Sequence, residues 1–268
     1  QVVFKEKYWG VMNFNGDTII APKYDMINTT DSNNYVVKKN GMWGLLSGDG
    51  RVLIEVEYDE IKEKDDYYLG VIDEVGFIFD NQGKQISKVQ YGWGPQRKVP
   101  KNLFAASNGD KLGVVNPEGE VIVDLKYDMI DSLDNGLIVA SQGENKFLFR
   151  LDGDKIFKEP YIDFRPSDLW LKVTRKGEEV NYIGLYNLEE NMWFLEPEWK
   201  DIQLFNQDRY FTLKSKIDYY GIADTSYRLL VNPVYEELRP YNNDSELYLK
   251  TTDQGYFLMR IDGSLVYD

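Results

Sequence analysis

The chain contains no cysteine and no histidine. The first absence removes disulfides, thiolate metal sites and cysteine nucleophiles together. The second removes the commonest general base and zinc ligand, and with them every Ser-His-Asp or Cys-His arrangement. Long hydrophobic runs are missing too, since no segment approaches the roughly 20 apolar residues that span a bilayer. Gln1-Val2-Val3-Phe4 is strand-like at once, so the sequence reads as a mature or trimmed soluble segment. Basic charge is scarce: 31 Lys and Arg stand against 45 Asp and Glu, for a net charge of -14. Such a surface repels phosphate backbones and anionic headgroups, which argues against nucleic acid partners and against membrane insertion. Neither Ser-x-x-Lys, Gly-x-Ser-x-Gly nor a phosphate-cradling motif occurs. Helical periodicity is also absent over the about twelve residues that an independent helix needs.

What remains is a folded, strand-rich composition. Of 268 residues, 43% are hydrophobic and 15% aromatic, with twenty Tyr. That length supports a substantial core, and aromatic residues favour the half-buried pleated surface of a sheet.

One frame recurs from end to end. Trp9-Gly10-Val11 leads to a turn at Asn15-Gly16 and then to Ile19-Ile20-Ala21-Pro22-Lys23-Tyr24-Asp25-Met26-Ile27. The next copy runs through Trp43-Gly44, Asp49-Gly50 and Tyr58-Asp59-Glu60-Ile61. Aligned on Gly10, Gly44, Gly76, Gly113, Phe147, Gly184, Gly221 and Phe257, the spacings are 34, 32, 37, 34, 37, 37 and 36. The repeat thus gives about eight units, starting near 9, 43, 75, 112, 147, 183, 220 and 256. Residues 1–8 can complete the last of these in a single β-repeat domain spanning 1–268.

Within a unit, two strands meet at a hairpin turn, with Asn15-Gly16, Asp49-Gly50, Asp152-Gly153 and Asp262-Gly263 as the strongest turns. A Pro-x-aromatic segment follows, as in Pro22-Lys23-Tyr24, Pro197-Glu198-Trp199 and Pro233-Val234-Tyr235. Proline cannot donate to a ladder, so it marks a strand end or edge, and the aromatic beyond it can fold back onto the core. A further strand such as Tyr35-Val36-Val37-Lys38 closes the unit. Each unit is therefore three strands, or four if the Tyr-Asp-x-Ile segment pairs separately.

These residues resemble the WG-repeat family, also called KWG repeats. Trp-Gly itself stands in frame only at Trp9-Gly10 and Trp43-Gly44, and elsewhere becomes Val75-Gly76, Leu112-Gly113, Ile183-Gly184 and Tyr220-Gly221. Trp93-Gly94 lies off the frame. The resemblance implies a bacterial β-repeat protein, often of the envelope or secreted, with no shared catalytic residues. Absence of cysteine fits the extracytoplasmic setting.

The expected fold is all-β, a repeat protein whose three- to four-stranded units close into a propeller-like ring, with an open β-repeat array as the alternative. A lone unit cannot bury both faces, so neighbours must stack. Val2-Val3-Phe4-Lys5 reads as the last strand of a unit and 256–266 as the first hairpin of one, so together they would complete a repeat. Closure would hide the sheet edges that an open array exposes.

Acidic residues follow the aromatic in most units: Asp25, Asp59, Asp128, Asp163, Asp201 and Glu236. They come one per repeat, without the dense spacing of a calcium loop, and each is expected to accept backbone N–H bonds in its own turn. No metal or cofactor is called for. The better binding candidates lie outside the frame. In the insertion 90–98, glycine and proline imply a loop that displays Tyr91 and Trp93 near Arg97 and Lys98. Trp193, beside Asn191 in a degenerate turn, and Tyr227 are similar cases, whereas Trp170 alternates with Leu169 and Leu171 and is read as packing. Flat aromatics beside hydrogen-bond donors suit peptide anchors or sugar rings.

The function expected from this pattern is a non-enzymatic binding or scaffolding module for a protein partner. A carbohydrate-binding module is the runner-up. A hydrolase needs two carboxylates about 5 to 9 Å apart, and it comes third because many acids satisfy that by chance.

Overall fold

The computed structural model describes residues 1–5, 7–87, 92–93, 99–167, 170–205, 209–226, 228–240, 246–251, 255–261, 264 and 266. All regular structure there is strand, arranged in eight antiparallel sheets of three or four strands. The first sheet holds Val2–Lys5, Tyr8–Met12 and Thr18–Tyr24. The second holds Met26–Thr29, Tyr35–Lys39, Met42–Leu46 and Val52–Tyr58, and the third Glu60–Lys64, Tyr67–Ile72 and Val75–Asp80. The fourth joins Gly92–Trp93 to Phe104–Asn108, Lys111–Val115 and Val121–Tyr127, and the fifth is built on Met129–Ser132, Ile138–Gln142 and Asn145–Phe149. The sixth contains Asp163–Pro166, Leu171–Arg175, Tyr182–Asn187 and Met192–Trp199. The seventh contains Asp201–Phe205, Tyr210–Lys214, Tyr220–Asp224 and Leu229–Tyr235, and the eighth Glu237–Pro240, Glu246–Thr251 and Gly255–Arg260. In each sheet the spatial order follows the chain.

The Tyr-Asp-x-Ile segment pairs as a strand of its own: Met26–Thr29 lies against Tyr35–Lys39, with Ile27 opposite Val37. Each sheet is therefore offset from the sequence repeat. In the four-stranded sheets the first two strands come from the end of one unit and the last two from the hairpin of the next.

The glycine of the frame has a steric cause. Trp9 pairs with Tyr24 and Val11 with Ile20, so between these pairs one residue, Gly10, opposes three, Ala21, Pro22 and Lys23. The extra pair arches over Gly10, where an added Cβ would stand 2.6 Å from Ile20 O and 2.8 Å from Pro22 N. The same two-residue bulge recurs opposite Gly44, Gly113, Gly184 and Gly221. A bulge of this kind bends the strand and sharpens its twist. It also explains Pro22, Pro197 and Pro233, which sit where the ladder is already interrupted.

The hairpin turns form as the sequence suggests, with Gly16, Gly50 and Gly153 at φ of 89, 85 and 92 degrees. The Asp262-Gly263 turn lies outside the described residues.

The chain divides into two compact units, Gln1–Gly143 with Leu148–Ile156, and Glu144–Phe147 with Phe157–Asp268. In the first unit, Val11, Ile20 and Tyr24 pack with Ile27, Val37 and Leu46, joining the first and second sheets. The opposite face of the second sheet, through Val36, Leu45, Ile54 and Tyr58, packs on Ile61, Tyr68 and Phe79 of the third. With both faces covered, strands read as continuous apolar runs such as Tyr35-Val36-Val37 and lose the alternation of a half-exposed sheet. In the second unit, Leu185 and Phe194 of the sixth sheet pack with Phe211, Leu213 and Ala223 of the seventh, while Ile222 and Val231 pack on Leu238 and Met259 of the eighth.

The buried ring of the repeat is the tyrosine just before the recurrent aspartate. Tyr24, Tyr58 and Tyr127 are 4%, 7% and 1% exposed. Trp9 and Trp43, across the ladder from Tyr24 and Tyr58, are only half-buried, packing at the margin of the core. Trp43 takes Lys38 over its ring at 4.9 Å, and Trp9 meets Phe4 at 4.8 Å.

Candidate functional site

Four of the aromatic and basic residues singled out from sequence, Tyr91, Arg97, Lys98 and Tyr227, lie outside the described residues. The backbone of Gly92–Trp93 is a short strand, Gly92 opposite Ser107 and Trp93 opposite Ala106, where a loop was expected. The insertion thus supplies the fourth sheet with the first strand that Met26–Thr29 supplies to the second. Trp193 is half-buried in an aromatic cluster: it stacks on Phe157 at 5.1 Å and 23 degrees, and meets Tyr186 edge-on at 5.1 Å and Tyr161 at 6.0 Å. Trp170, read as packing, is buried and stacks on Phe194 at 4.5 Å.

The periodic carboxylates act as clamps on the next hairpin. Asp25 accepts from Asn40 N–H at 2.7 Å, Asp59 from Asp73 N–H at 2.9 Å, and Asp128 from Gly143 N–H at 2.7 Å. The bonds reach a turn 14 or 15 residues on, not the turn that carries the acid. All three donors have positive φ, 52, 50 and 58 degrees, so each clamp fixes a tight two-residue turn. Lysine at the start of the frame adds a second link: Lys111 meets Asp128 at 2.6 Å and Lys146 meets Asp163 at 3.0 Å. Hydrogen bonds from Lys111 and Gly143 hold the Asp128 carboxyl below its usual range. Burial pushes Asp163 upward, but hydrogen bonds from Lys146 and Arg165 outweigh it and hold the carboxyl low. Among the described residues, no three acidic side chains are grouped so that they could hold a metal ion.

The clamp fails where the sixth and seventh sheets lengthen. Asp163 spends its oxygens on Lys146 and Arg165, and Asp201 on its neighbours Ile202 N–H and Gln203. The connections that these acids would otherwise tie are long: 176–181 between Leu171–Arg175 and Tyr182–Asn187, and 215–219 between Tyr210–Lys214 and Tyr220–Asp224. Between them lies a cleft of about 450 Å³, walled by Arg175, Lys176, Glu178, Tyr182, Lys200 and Lys216. Arg175 also lines a second depression of about 240 Å³, with Glu159, Pro160, Tyr161, Glu196 and Pro197.

The charges in this double cleft fall into two groups. Lys176 pairs with Glu144, Lys200 with Asp218 at 2.7 Å, and Lys216 with Glu198 at 3.6 Å. Hydrogen bonds from Lys200 and Lys214 hold Asp218 low, and Lys176 does the same for Glu144. Arg175 has no carboxylate partner among the described residues; its guanidinium lies 5.6 Å from the centroid of Tyr182, and Lys216 Nζ lies 5.5 Å from the same centroid. A ring that two cations approach is held in place, since each cation draws on the negative face of the π system. On the other side, burial pushes the Tyr161 hydroxyl up, Glu196 and Glu159 push it further, and Arg175 opposes them. Tyr161 is itself held from behind by Phe157, Phe164 and Trp193.

This cleft was not among the sequence candidates. A signal was present: the spacing grows from 34 between Gly113 and Phe147 to 37 in each of the next two units, and the additional length falls in these connections.

The fold and site define an antiparallel β-repeat protein with a mixed-charge cleft on its second unit. Two stretches of the chain, residues 9–43 and 113–146, match the family described as WG containing repeat. No curated protein matches the chain. Among solved structures, a eukaryotic initiation factor is similar at 9% identity and a TM-score of 0.40, over 87% of this chain and 83% of its own. Hsv2 of Kluyveromyces lactis is similar at 12% identity and 0.37, over 97% and 93%. Apo AztD from Citrobacter koseri is similar at 12% identity and 0.33, over 99% and 92%. At these scores the likenesses carry no argument about the chain. No helix among the described residues is long and apolar enough to cross a membrane.

Proposed function

We propose that the chain is a non-enzymatic binding or scaffolding module that engages a protein partner through the cleft around Arg175. The observation that carries this reading is the double cleft itself, a concave site in which Arg175, without an ion-pair partner among the described residues, and the cation-held Tyr182 are set on paired strands. Convergent polar groups on rigid elements are what recognition sites require. The recurrent carboxylates Asp25, Asp59 and Asp128 are already occupied as turn clamps, which weakens the hydrolase reading. A photo-crosslinking residue at Val180, exposed beside the cleft, tests the proposal in the host cell. Capture of one protein that is lost with Arg175→Glu supports it. Binding to a glycan array with no captured protein overturns it in favour of the carbohydrate module.

Closure of the sheets into a propeller-like ring belongs to the same proposal. Sheets whose strand order follows the chain, stacked in sequence through shared apolar faces, are the pattern of propeller blades. A compact chain of this length has a radius of gyration of about 18 Å, and a clearly larger value by small-angle scattering would mean an open array. An extracytoplasmic setting is likewise proposed, on the absence of cysteine. Fractionation of the host cell checks it.

A further inference from the structure

Which ligand suits the cleft follows from which of its charges are spent. Three of its four cations already face acids: Lys176 with Glu144, Lys200 with Asp218 and Lys216 with Glu198. Among the described residues Arg175 is the cation left over, and it lines both depressions. On one side of it stand Tyr182, Glu178 and Glu179, and on the other Tyr161, Glu159 and Glu196. None of these four glutamates has an ion-pair partner among the described residues. A purely acidic ligand would meet Arg175 but be repelled by the glutamates and by a chain of net charge -14. A purely basic ligand would be drawn to the glutamates yet press against Arg175. Only a ligand with both signs satisfies the two sides together.

We propose that the cleft takes an extended peptide segment of mixed charge from a partner protein, an acidic side chain on Arg175 and a neighbouring basic side chain between Glu159 and Glu196. The proposal rests on the partner-binding reading and adds the chemistry of the partner. Arg175 suits the first role because its planar guanidinium offers paired donors to a carboxylate, while Tyr182 braces it. Pro160, Pro197 and the Tyr161 ring suit the second, since they give apolar walls to the aliphatic stem of a lysine or arginine whose head meets the two carboxylates. The Tyr161 hydroxyl, pushed toward its neutral form by burial and by those carboxylates, adds no competing charge at ordinary pH. The smaller depression, about 240 Å³, holds one such side chain, and the larger, about 450 Å³, leaves room for the backbone that links it to the acid. Charge complementarity of this kind sets register and partner choice more than raw affinity.

The test uses the full chain and short fluorescein-labelled peptides in which one acidic and one basic side chain stand at varied separation, with all-acidic, all-basic and neutral peptides of equal length beside them. Fluorescence anisotropy should show one separation binding at least about tenfold more tightly than the other three classes, with salt weakening it. Arg175→Glu should weaken that peptide by about tenfold with little change in the thermal midpoint, because Arg175 is exposed and has no ion-pair partner among the described residues. Glu159→Lys with Glu196→Lys on top of Arg175→Glu should restore binding to a peptide with its two charges exchanged. Equal binding of the all-basic peptide, or no effect of Arg175→Glu on the mixed one, overturns the proposal. If no peptide binds while the crosslink at Val180 still captures a protein, the mixed-charge chemistry is wrong and the partner-binding reading stands. If neither occurs, both fall.

Discussion

The carboxylate of Asp25 accepts a 2.7 Å hydrogen bond from the backbone N–H of Asn40, two strands further along the chain. Asn40 has φ of 52 degrees, a conformation that a tight hairpin turn demands and that few residues adopt freely. The acid after each buried tyrosine thus holds the next hairpin in place and couples one sequence repeat to the sheet that follows it. Asp25→Ala should lower stability by about 0.5–1.5 kcal/mol, the net worth of one such bond. Urea denaturation measures it, and an unchanged midpoint would remove the clamp from the account.

The bulge over the repeat glycine makes a sharper demand. A methyl group on Gly184 would lie 2.7 Å from both Leu195 O and Pro197 N, which are backbone atoms and cannot rotate away. Gly184→Ala should therefore cost about 1–3 kcal/mol, in the range of overpacked cores. Calorimetry on the variant checks this, and a melting curve superposable on that of the parent would show that the bulge relaxes freely.

Burial ranks the frame's tyrosines above its tryptophans. Trp43 is half-buried under Lys38, whereas Tyr58 is 7% exposed and makes edge contacts with Phe77 and Phe79 at 6.1 and 5.5 Å. Tyr58→Ala should cost about 3–5 kcal/mol, and Trp43→Ala no more than about half as much. Guanidinium denaturation of the two variants side by side decides the order.

Much of this architecture was legible in the chain. Asn-Gly and Asp-Gly turns, Pro22-Lys23-Tyr24 and the absence of helical period gave an all-β repeat, and the turn glycines have the positive φ that their position implies. Other features depend on pairing that no single segment encodes. The two-residue bulge appears only when Trp9 is set against Tyr24 and Val11 against Ile20. The frame's tryptophans look like core residues until their partner tyrosines take the interior. The cleft escaped notice because its residues are ordinary surface types; what marks them is three extra residues of spacing and the diversion of Asp163 and Asp201 from clamping.

Titration should narrow the stability range from both ends. Asp163 and Asp218 have folded-state pKa values held below the usual carboxylate range, so their contribution is complete above about pH 4 and is lost as pH falls through the lowered values. Tyr24, Tyr58 and Tyr127 are raised by burial, so their contribution is complete below about pH 10 and is lost as pH rises toward the raised values. Denaturation midpoints should form a plateau between these limits. Asp163→Asn should flatten the acid limb and leave the alkaline one alone.

The central claim is that the repeat frame builds the molecule and that recognition sits where the frame's clamp is lost. Its most direct test measures, for Arg175→Glu and Asp25→Ala in parallel, both the thermal midpoint and the binding of the protein captured at Val180. The account predicts that Arg175→Glu abolishes capture at an unchanged midpoint, while Asp25→Ala lowers the midpoint and keeps capture. Capture that survives Arg175→Glu, or that disappears only in step with stability, would contradict it.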